Sequence, residues 1–241
     1  MKIYLHGAAG RMGQAVKVAA AQQGFHIINS DRNSDNIKNA IATADVIIDF
    51  SSHEATGPLA AIAAQYKKPM VIGTTGHNET ERAAILAQQE HLPMVWAGNF
   101  SLGVNLLFYL AEQVAATLPI SYHPEIVEMH HRMKKDAPSG TAENLVQAIL
   151  RGRKWSSDII KHGRSGITGE RPNEEIGVHA LRGGEVVGEH TVHFAGPGER
   201  LELKHQATDR RIFAEGALVA TSWVLNQKPG LYNMQDVLGL G

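Results

Sequence analysis

The stretch from Glu125 to Ala142 contains the densest group of residues able to do acid–base chemistry in the chain. Two adjacent histidines, His130 and His131, are followed closely by Lys134. Imidazole has an unperturbed pKa of about 6.5, so it can give or take a proton near neutral pH. This stretch is a candidate site of proton transfer, although a bare histidine pair is more often a solvated strand end or a pair of metal ligands.

The elements on either side can position these groups. Residues 122–130 are predicted to form a strand, and Asp136–Thr141 breaks the backbone before a helix predicted over 141–150. The first N–H groups of a helix lack partners within it, so they can bind an anion. Beside such a helix start, the two histidines and the lysine would form a cationic pocket suited to a carboxylate substrate.

A second motif lies near the N-terminus. The loop Gly7-Ala-Ala-Gly10-Arg-Met-Gly13 follows an apolar strand, Ile3–His6, and precedes an alanine-rich helix, Gln14–Ala21. Strand, glycine loop and helix in this order are typical of dinucleotide binding, because the backbone can approach the pyrophosphate at the helix N-terminus. The spacing is G-x-x-G-x-x-G, with Ala9 in place of the usual second glycine, so the loop alone is a weak signal.

The end of the next predicted strand bears on the choice of cofactor. Asp31 lies 18 residues after Gly13, near where an acidic residue would bind the adenosine ribose of NAD. Arg32 beside it could instead contact the 2′-phosphate of NADP. The pair fits a site that takes NADH, NADPH or both.

Strands and helices alternate over the first hundred residues, which predicts an α/β fold with a doubly wound, Rossmann-type parallel sheet. Ligands of such sheets bind at the carboxyl ends of the strands. The loops Gly73-Thr74-Thr75 and Ala97-Gly98-Asn99-Phe100 follow two of these strands. Without further information, both could be ordinary loops with turn residues.

The second half of the chain predicts a smaller α+β domain with a mainly antiparallel sheet of about four strands. Its strands are residues 122–130, 176–182, 185–194 and 200–207. Gly183-Gly184 and Gly196-Pro-Gly198 are hairpin signals between the last three. We interpret His190 and His193 as ordinary strand residues or interface contacts, whereas the arginines between positions 151 and 171 could reach an anionic ligand.

The pattern E-x-x-E-x-H-H-x-x-K-x-D-A-P-S-G-T-A runs unbroken from Glu125 to Ala142. It resembles the signature of the dihydrodipicolinate reductase (4-hydroxy-tetrahydrodipicolinate reductase) family of diaminopimelate and lysine biosynthesis. The resemblance covers nearly the whole chain and includes G-T-T-G at 73–76, A-G-N-F-S at 97–101, Gly166–Arg171 and Gly188–Thr191.

The resemblance implies a role for each matching residue. His130 would be the proton donor or acceptor, Lys134 a further proton donor, and His131, Gly140 and Thr141 substrate-binding residues. The implied cofactor-binding residues are Gly7, Ala8, Ala9, Gly10, Arg11, Met12, Asp31, Arg32, Gly73, Thr74, Thr75, Ala97, Gly98, Asn99 and Phe100.

The resemblance also implies the cofactor, the substrate and the assembly. NADH, NADPH or both would reduce a small cyclic dicarboxylate, and four copies would associate through their antiparallel sheets. The last helix would return to the first domain. The expected boundaries are then 1–101 and 211–241 for the dinucleotide-binding domain, and 102–210 for the substrate-binding and oligomerisation domain.

Composition narrows the alternatives. A net charge of -1 makes nucleic acid an unexpected partner, and no run approaches the ~20 apolar residues of a membrane span. The absence of cysteines and of a targeting segment is compatible with a cytoplasmic protein. The chain has 13 histidines, but adjacent His130 and His131 would lie on opposite strand faces, so we predict no metal site.

Two other functions stay open. One is a different NAD(P)-dependent reductase of a small cyclic carboxylate, which substrate profiling would distinguish. The other is a nucleotide-sensing module, for which the concentration of histidine and lysine after Glu125 has no obvious use.

Overall fold

The computed structural model describes residues 1–28 and 34–240, except for the side chains at positions 34 and 35, and contains two compact units. The first, which we call the parallel-sheet unit, consists of Met1–Leu102 and Arg210–Gly241. The second, the mixed-sheet unit, consists of Gly103–Asp209. Each unit has its own sheet; the parallel-sheet unit has two hydrophobic clusters and the mixed-sheet unit has one, among the described residues.

Six parallel strands form the sheet of the parallel-sheet unit. They are β1 (Lys2–His6), β2 (His26–Ile28), β3 (Val46–Asp49), β4 (Met70–Ile72), β5 (Pro93–Trp96) and β11 (Gly230–Tyr232). Their order across the sheet is β11-β5-β4-β3-β1-β2, and every neighbouring pair is parallel. The loops that follow β1, β3, β4 and β5 therefore all leave from the same edge, at the carboxyl ends of the strands.

Helices cover both faces of this sheet. They are α1 (Arg11–Gln22), α2 (Ser34–Thr43), α3 (His53–Gln65), α4 (Glu79–Leu86), α7 (Arg211–Val224) and α8 (Met234–Leu238). Successive residues of β1 pack into different hydrophobic clusters, because side chains alternate between the two faces of a sheet. Ile3 packs with residues of α1 and α7, whereas Tyr4 packs with residues of α2, α3 and α4. The predicted doubly wound α/β class is confirmed.

The mixed-sheet unit contains two long helices and five strands. They are α5 (Leu102–Thr117), β6 (His123–His130), α6 (Gly140–Arg153), β7 (Ile160–His162), β8 (Ile176–Arg182), β9 (Gly188–Gly196) and β10 (Glu199–Ala207), with a short 3₁₀ helix at Ser157–Ile159. The core lies between the helices and one face of the sheet, where Ile126 and Val192 join Leu145 and Ile149 of α6.

The strand order of this sheet differs from the one that the glycine pairs suggested. The order is β10-β9-β6-β8-β7, so β6 lies between β8 and β9, and the predicted hairpin at Gly183-Gly184 is wrong. Strand β8 is parallel to β6, and the short β7 adds a fifth, parallel strand at the edge. The segment after β8 instead crosses the end of β6, where the Arg132 N–H donates to the Gly184 carbonyl.

The second glycine-rich turn does join a hairpin. Strands β9 and β10 pair antiparallel from Gly196 with Glu199 to Gly188 with Ala207. Strand β9 also pairs antiparallel with β6, so the sheet is mixed.

Among the described residues, none of the helices has both the length and the apolar character needed to cross a membrane.

Candidate active site

Strand β6 places two of the reactive side chains on one buried face. Its residues alternate between partly exposed and buried positions, and Glu128 and His130, two residues apart, both fall on the buried side. The Glu128 side chain is fully buried, and His130 is 8% exposed. The strand predicted over 122–130 therefore places both His130 and the Glu128 carboxylate in the interior.

The two side chains form a hydrogen-bonded pair. The His130 Nδ1 atom lies 2.6 Å from Glu128 Oε2. Because an ionised carboxylate can only accept, Nδ1 donates and the neutral ring keeps its lone pair on Nε2. A Cβ atom built on Gly188 would lie 3.0 Å from this Nε2, so the glycine leaves room beside the nitrogen that can exchange a proton with a ligand.

Arg182 of β8 completes the environment of Glu128. Its two terminal nitrogens donate to the two carboxylate oxygens at 2.8 and 2.9 Å, and one of them also donates to the Asp136 carbonyl at 2.7 Å. Burial raises the pKa of Glu128, but the hydrogen bonds from Arg182 and His130 outweigh it and lower the pKa overall. Glu128 is thus held as the anion.

The His130 ring experiences opposing influences. Burial lowers its pKa, the Glu128 carboxylate raises it, and the net result is a pKa below the ordinary value of 6.5. The lowered pKa favours the neutral ring, whose Nε2 lone pair can accept a proton, while the Glu128 carboxylate stabilises the protonated form when it is made.

Helix α6 begins beside this pair. Ser139 is its N-cap: the Ser139 hydroxyl accepts from the Ala142 N–H at 3.2 Å, while the Ser139 N–H donates to Glu128 Oε1 at 3.0 Å. A Cβ atom built on Gly140 would meet nothing within 4 Å, so the protein's own packing does not require a glycine there. The space over the first turn is available to a ligand.

Lys134 and His131 lie on the loop between β6 and α6. The Lys134 ammonium donates to the Asp136 carboxylate at 2.8 Å and is 20% exposed. The Lys134 N–H donates to the His131 carbonyl, and the His131 N–H donates to the Val186 carbonyl, which fixes the loop backbone. The mixed-sheet unit thus brings His130, His131, Lys134, Gly140 and Thr141 into one strand–loop–helix segment.

In the parallel-sheet unit, the glycine loop follows β1 at the carboxyl edge of the sheet. Gly7 has a φ of +81°, and a Cβ atom there would lie 2.1 Å from the Phe50 carbonyl oxygen. A Cβ atom on Gly13 would lie 2.3 Å from the Gly7 carbonyl oxygen. These two glycines are thus required by the close packing of the loop, and Ala8 to Met12 form its rim and the first turn of α1.

The other two predicted cofactor loops leave from the same edge. Gly73 lies against the Phe50 ring, because a Cβ atom there would be 2.0 Å from it. The Thr74 hydroxyl accepts from the Ser51 N–H at 2.9 Å, so this side chain serves the internal structure of the edge. Phe100 is only 2% exposed and packs edge-on against Phe50.

The other residues of these two loops differ in their exposure. Thr75 and Gly98 are exposed, whereas Ala97 and Asn99 are partly buried. A dinucleotide at this edge would therefore meet mostly backbone atoms and small side chains. The predicted ribose and phosphate contacts, Asp31 and Arg32, lie outside the described residues.

Three residues of the site region were not predicted from the sequence. The pattern quoted for the resemblance includes Glu128 and Ser139, but no role was assigned to them, and Arg182 was seen only as a strand residue. His190 lies on a strand, as interpreted, and its side chain is 4% exposed and bonds to the Ser139 hydroxyl, a contact that was not predicted. Of these residues, Glu128 had a signal in the sequence: it lies two positions before His130 on a predicted strand, and such residues share a face.

The arginines of the 151–171 stretch have partners within the protein. Arg164 and Arg171 both donate to the Glu125 carboxylate, on the face of β6 opposite Glu128. Burial raises the pKa of Glu125, but these hydrogen bonds and one from His179 lower it to about 2. Two of the arginines that could reach an anionic ligand are therefore bonded to a carboxylate within the protein.

Over residues 1–28 and 34–240, no three acidic, histidine or cysteine side chains are grouped so that they could hold a metal ion.

Comparison with known proteins agrees with both units. The family model described as dihydrodipicolinate reductase, N-terminus, matches residues 1–100, and the one described as its C-terminus matches residues 103–238. The 4-hydroxy-tetrahydrodipicolinate reductase of Akkermansia muciniphila is 48% identical over 244 residues, covering 100% of this chain and 98% of the relative. The enzyme of the same name from Beijerinckia indica is 46% identical, with coverages of 100% and 98%.

Solved structures support the fold. The dipicolinate-bound dihydrodipicolinate reductase from Paenisporosarcina sp. TG-14 has a TM-score of 0.81 at 24% identity, covering 98% of each chain. A probable dehydrogenase from Thermotoga maritima has a TM-score of 0.62 at 11% identity, covering 98% of this chain and 92% of its own. With full-length relatives near half identity and both family models matched, this chain belongs to the dihydrodipicolinate reductase family of oxidoreductases.

Proposed function

We propose that this chain reduces (2S,4S)-4-hydroxy-2,3,4,5-tetrahydrodipicolinate to tetrahydrodipicolinate at the expense of NADH or NADPH, in diaminopimelate and lysine biosynthesis. The observation that carries the proposal is the Glu128–His130 pair beside the open first turn of α6. The names of the full-length relatives support the choice of substrate.

The first turn of α6 is suited to a substrate carboxylate. The N–H groups of Gly140 and Thr141 belong to the helix start, where partial positive charge accumulates and anions are stabilised. The Thr141 hydroxyl and the His131 ring would add donors, and Lys134 would add a positive charge. The open space over Gly140 leaves room for the carboxylate itself.

His130 would handle the proton. Loss of the 4-hydroxyl group as water and delivery of hydride to the ring leave an enamine, whose ring carbon must take a proton. The protonated Nε2 of His130 would donate it, while Nδ1 stays bonded to Glu128, which stabilises the imidazolium form before transfer. Lys134 would act as a further proton donor, and solvent would restore the proton on His130.

The carboxyl edge of the parallel sheet fits a nicotinamide dinucleotide. The tight cradle at Gly7 and Gly13 admits no side chain, and no side chain caps the start of α1 at Gly10. These features suit a pyrophosphate, with Ala8, Ala9, Arg11 and Met12 around it. A nicotinamide cofactor bound there would supply the hydride. The loops at 73–75 and 97–100 would hold its nicotinamide half.

The test is a coupled assay in which the substrate is generated from pyruvate and aspartate semialdehyde, and absorbance at about 340 nm reports cofactor oxidation. NADH and NADPH are compared in parallel. Rapid oxidation supports the reaction, and the ratio of rates reports whether Asp31 or Arg32 dominates recognition of the ribose. A folded protein that binds both cofactors but oxidises neither would instead indicate a reductase of another small carboxylate.

The family resemblance further suggests a homotetramer. Size-exclusion chromatography with light scattering measures the mass of the particle directly, and a mass near four chains is expected. A mass equal to one chain of 26.1 kDa would contradict this part of the proposal.

A further inference from the structure

His190 of β9 is a buried, titratable residue for which the proposed reaction has no use. Its side chain is 4% exposed, and its Nε2 atom lies 2.9 Å from the Ser139 hydroxyl. Its ring stands edge-on to the His130 ring, with centroids 5.1 Å apart. It therefore contacts both the proposed proton-transfer residue and the N-cap of α6.

Ser139 connects these two parts of the site. Its N–H is bonded to Glu128, the partner of His130, and its hydroxyl already accepts from the Ala142 N–H in the first turn of α6. A hydroxyl has one proton and two lone pairs, so the Ser139 hydroxyl can either donate to a lone pair on His190 Nε2 or accept a second bond from a protonated Nε2. In either tautomer the bond joins Ser139 to Nε2, while the buried Nδ1 atom of His190 has no hydrogen-bond partner among the described residues.

Burial, together with the neighbouring cationic groups, favours an uncharged His190 ring. The titratable groups that face it are Glu128 and His130 of β6, His205 of β10 and Lys134 of the loop after β6. Burial, and then the nearby His130, lower the pKa of His190 to about 3. An uncharged ring bonds to Ser139 in either tautomer and does not repel His130 when that ring is protonated.

We propose that His190 is a positioning residue whose hydrogen bond fixes the Ser139 hydroxyl, and thereby holds the first turn of α6 in register with His130 for binding one dicarboxylate. This inference rests on the proposed function, because it assumes that α6 and His130 act on the same substrate. It predicts that loss of the bond weakens dicarboxylate binding more than it slows turnover.

Two substitutions at the same position separate the hydrogen bond from simple packing. In His190→Gln, the side-chain amide can take the place of Nε2, whereas His190→Leu keeps an apolar group of similar size and loses the bond. We expect His190→Leu to raise KM for the dicarboxylate, and the Kd for dipicolinate measured by calorimetry, about 10-fold. His190→Gln should stay within about threefold of the native values, and kcat should change less than KM in both.

A double-mutant cycle with Ser139→Ala tests the path of the effect. Ser139→Ala removes the bond to His190 together with the N-cap bond from the Ala142 N–H, without altering β9, and it should raise KM and the dipicolinate Kd on its own. In that background, His190→Leu should add less than about twofold, because the shared bond is already absent. His193→Leu on the same strand, where Nδ1 lies 3.2 Å from the Glu202 carboxylate, is the matched control and should leave both constants at native values.

The outcomes are distinguishable. Equal effects of His190→Gln and His190→Leu, additive effects with Ser139→Ala, or a Ser139→Ala protein with native constants would each overturn the positioning role. Circular dichroism shows which variants are folded, and His190→Ala takes the place of His190→Leu in both backgrounds if the leucine variant does not fold. A native protein that neither turns over the substrate nor binds dipicolinate would reject the proposed function instead.

Discussion

The His130 Nδ1 atom is held 2.6 Å from the Oε2 atom of a fully buried Glu128. This contact determines which ring nitrogen carries the proton, because the carboxylate accepts from Nδ1 and leaves Nε2 for a ligand. Arg182 holds the same carboxylate from β8, so the tautomer of His130 depends on a contact between two strands of the mixed sheet.

Replacing Glu128 by glutamine should reduce turnover severely. The amide can donate to Nδ1 and so favour the wrong tautomer, and it removes the charge that stabilises protonated His130. We expect Glu128→Gln to lower kcat about 100-fold or more. Loss of the carboxylate should also lower the pKa of His130, so the limb of the pH–rate profile that requires its protonated form should shift to lower pH.

The control for this change is Glu112→Gln in the same unit. Glu112 makes a partly exposed ion pair with Arg151, and such pairs contribute little. Its kcat and pH profile should match those of the native enzyme. A Glu128→Gln protein with native kcat would show that the buried pair does not set the state of His130.

His130→Gln should affect chemistry and spare the cofactor. General acid–base catalysis typically contributes about 100- to 10,000-fold, and kcat should fall within that range. Binding of NADH, measured by its fluorescence, should remain within about twofold of native, since the proposed cofactor residues belong to the other unit. An equal loss of NADH affinity would refute the assignment of His130 to proton transfer.

Gly7→Ala should damage the cofactor edge through a backbone clash. The new Cβ would lie 2.1 Å from the Phe50 carbonyl oxygen, in a residue whose φ is +81°. We expect the free energy of unfolding to fall by about 2–4 kcal/mol and the affinity for NADH to fall about tenfold or more. Urea unfolding and NADH titration measure the two effects.

Gly24→Ala separates the clash from the backbone conformation. Gly24 also has a positive φ, of +71°, but a Cβ there meets nothing within 4 Å. It should lose only about 1–2 kcal/mol of unfolding free energy and keep native NADH affinity. If both variants lost affinity equally, the packing of Gly7 against Phe50 would not be what shapes the cofactor site.

Glu125 should make stability depend on pH in the acidic range. Its pKa in the folded protein is about 2, below the ordinary value of 4.5, so its stabilising effect is complete above about pH 4.5 and is lost as the pH falls toward 2. The Glu125 side chain is 21% exposed, so solvent screens part of the effect, which we place at about 2–3 kcal/mol.

Comparison of the native protein with Glu125→Gln measures this contribution. Urea unfolding should show the variant to be less stable at pH 7, with a difference that shrinks steadily below about pH 4.5. The control is Glu174, which is exposed and lies between β7 and β8, in the segment that carries Arg164 and Arg171. The free energy of unfolding of Glu174→Gln should match that of the native protein at every pH. A stability difference that did not depend on pH would mean that the arginines act on Glu125 through packing alone.

Local patterns in the sequence predicted the elements that carry the chemistry. The strand ending at His130, the helix starting near Thr141 and the alternation that produces a parallel sheet all follow from residue periodicity and from turn residues. Those signals act over a few residues, and the structure agrees with them there.

Contacts between segments that are far apart in the sequence could not be predicted from such patterns. His190 meets Ser139 across 51 positions, and Arg171 meets Glu125 across 46. The glycine pair after β8 predicted a hairpin, but it cannot indicate that β6 will occupy the position between β8 and β9. Strand order depends on which edges and faces pack together in three dimensions, and a turn signal describes only the turn.

Strand β6 carries two carboxylates that face opposite ways: Glu125 toward the arginines and Glu128 toward His130. Side chains alternate along a strand with a period of two, so one residue inserted between these carboxylates would bring both to the same face. One of the two carboxylates would then face away from its partners. Either the arginines or His130 would lose the carboxylate that it contacts. Over the course of evolution, this strand should therefore accept substitutions more readily than changes of length, and insertions between related chains should accumulate in the connections around it.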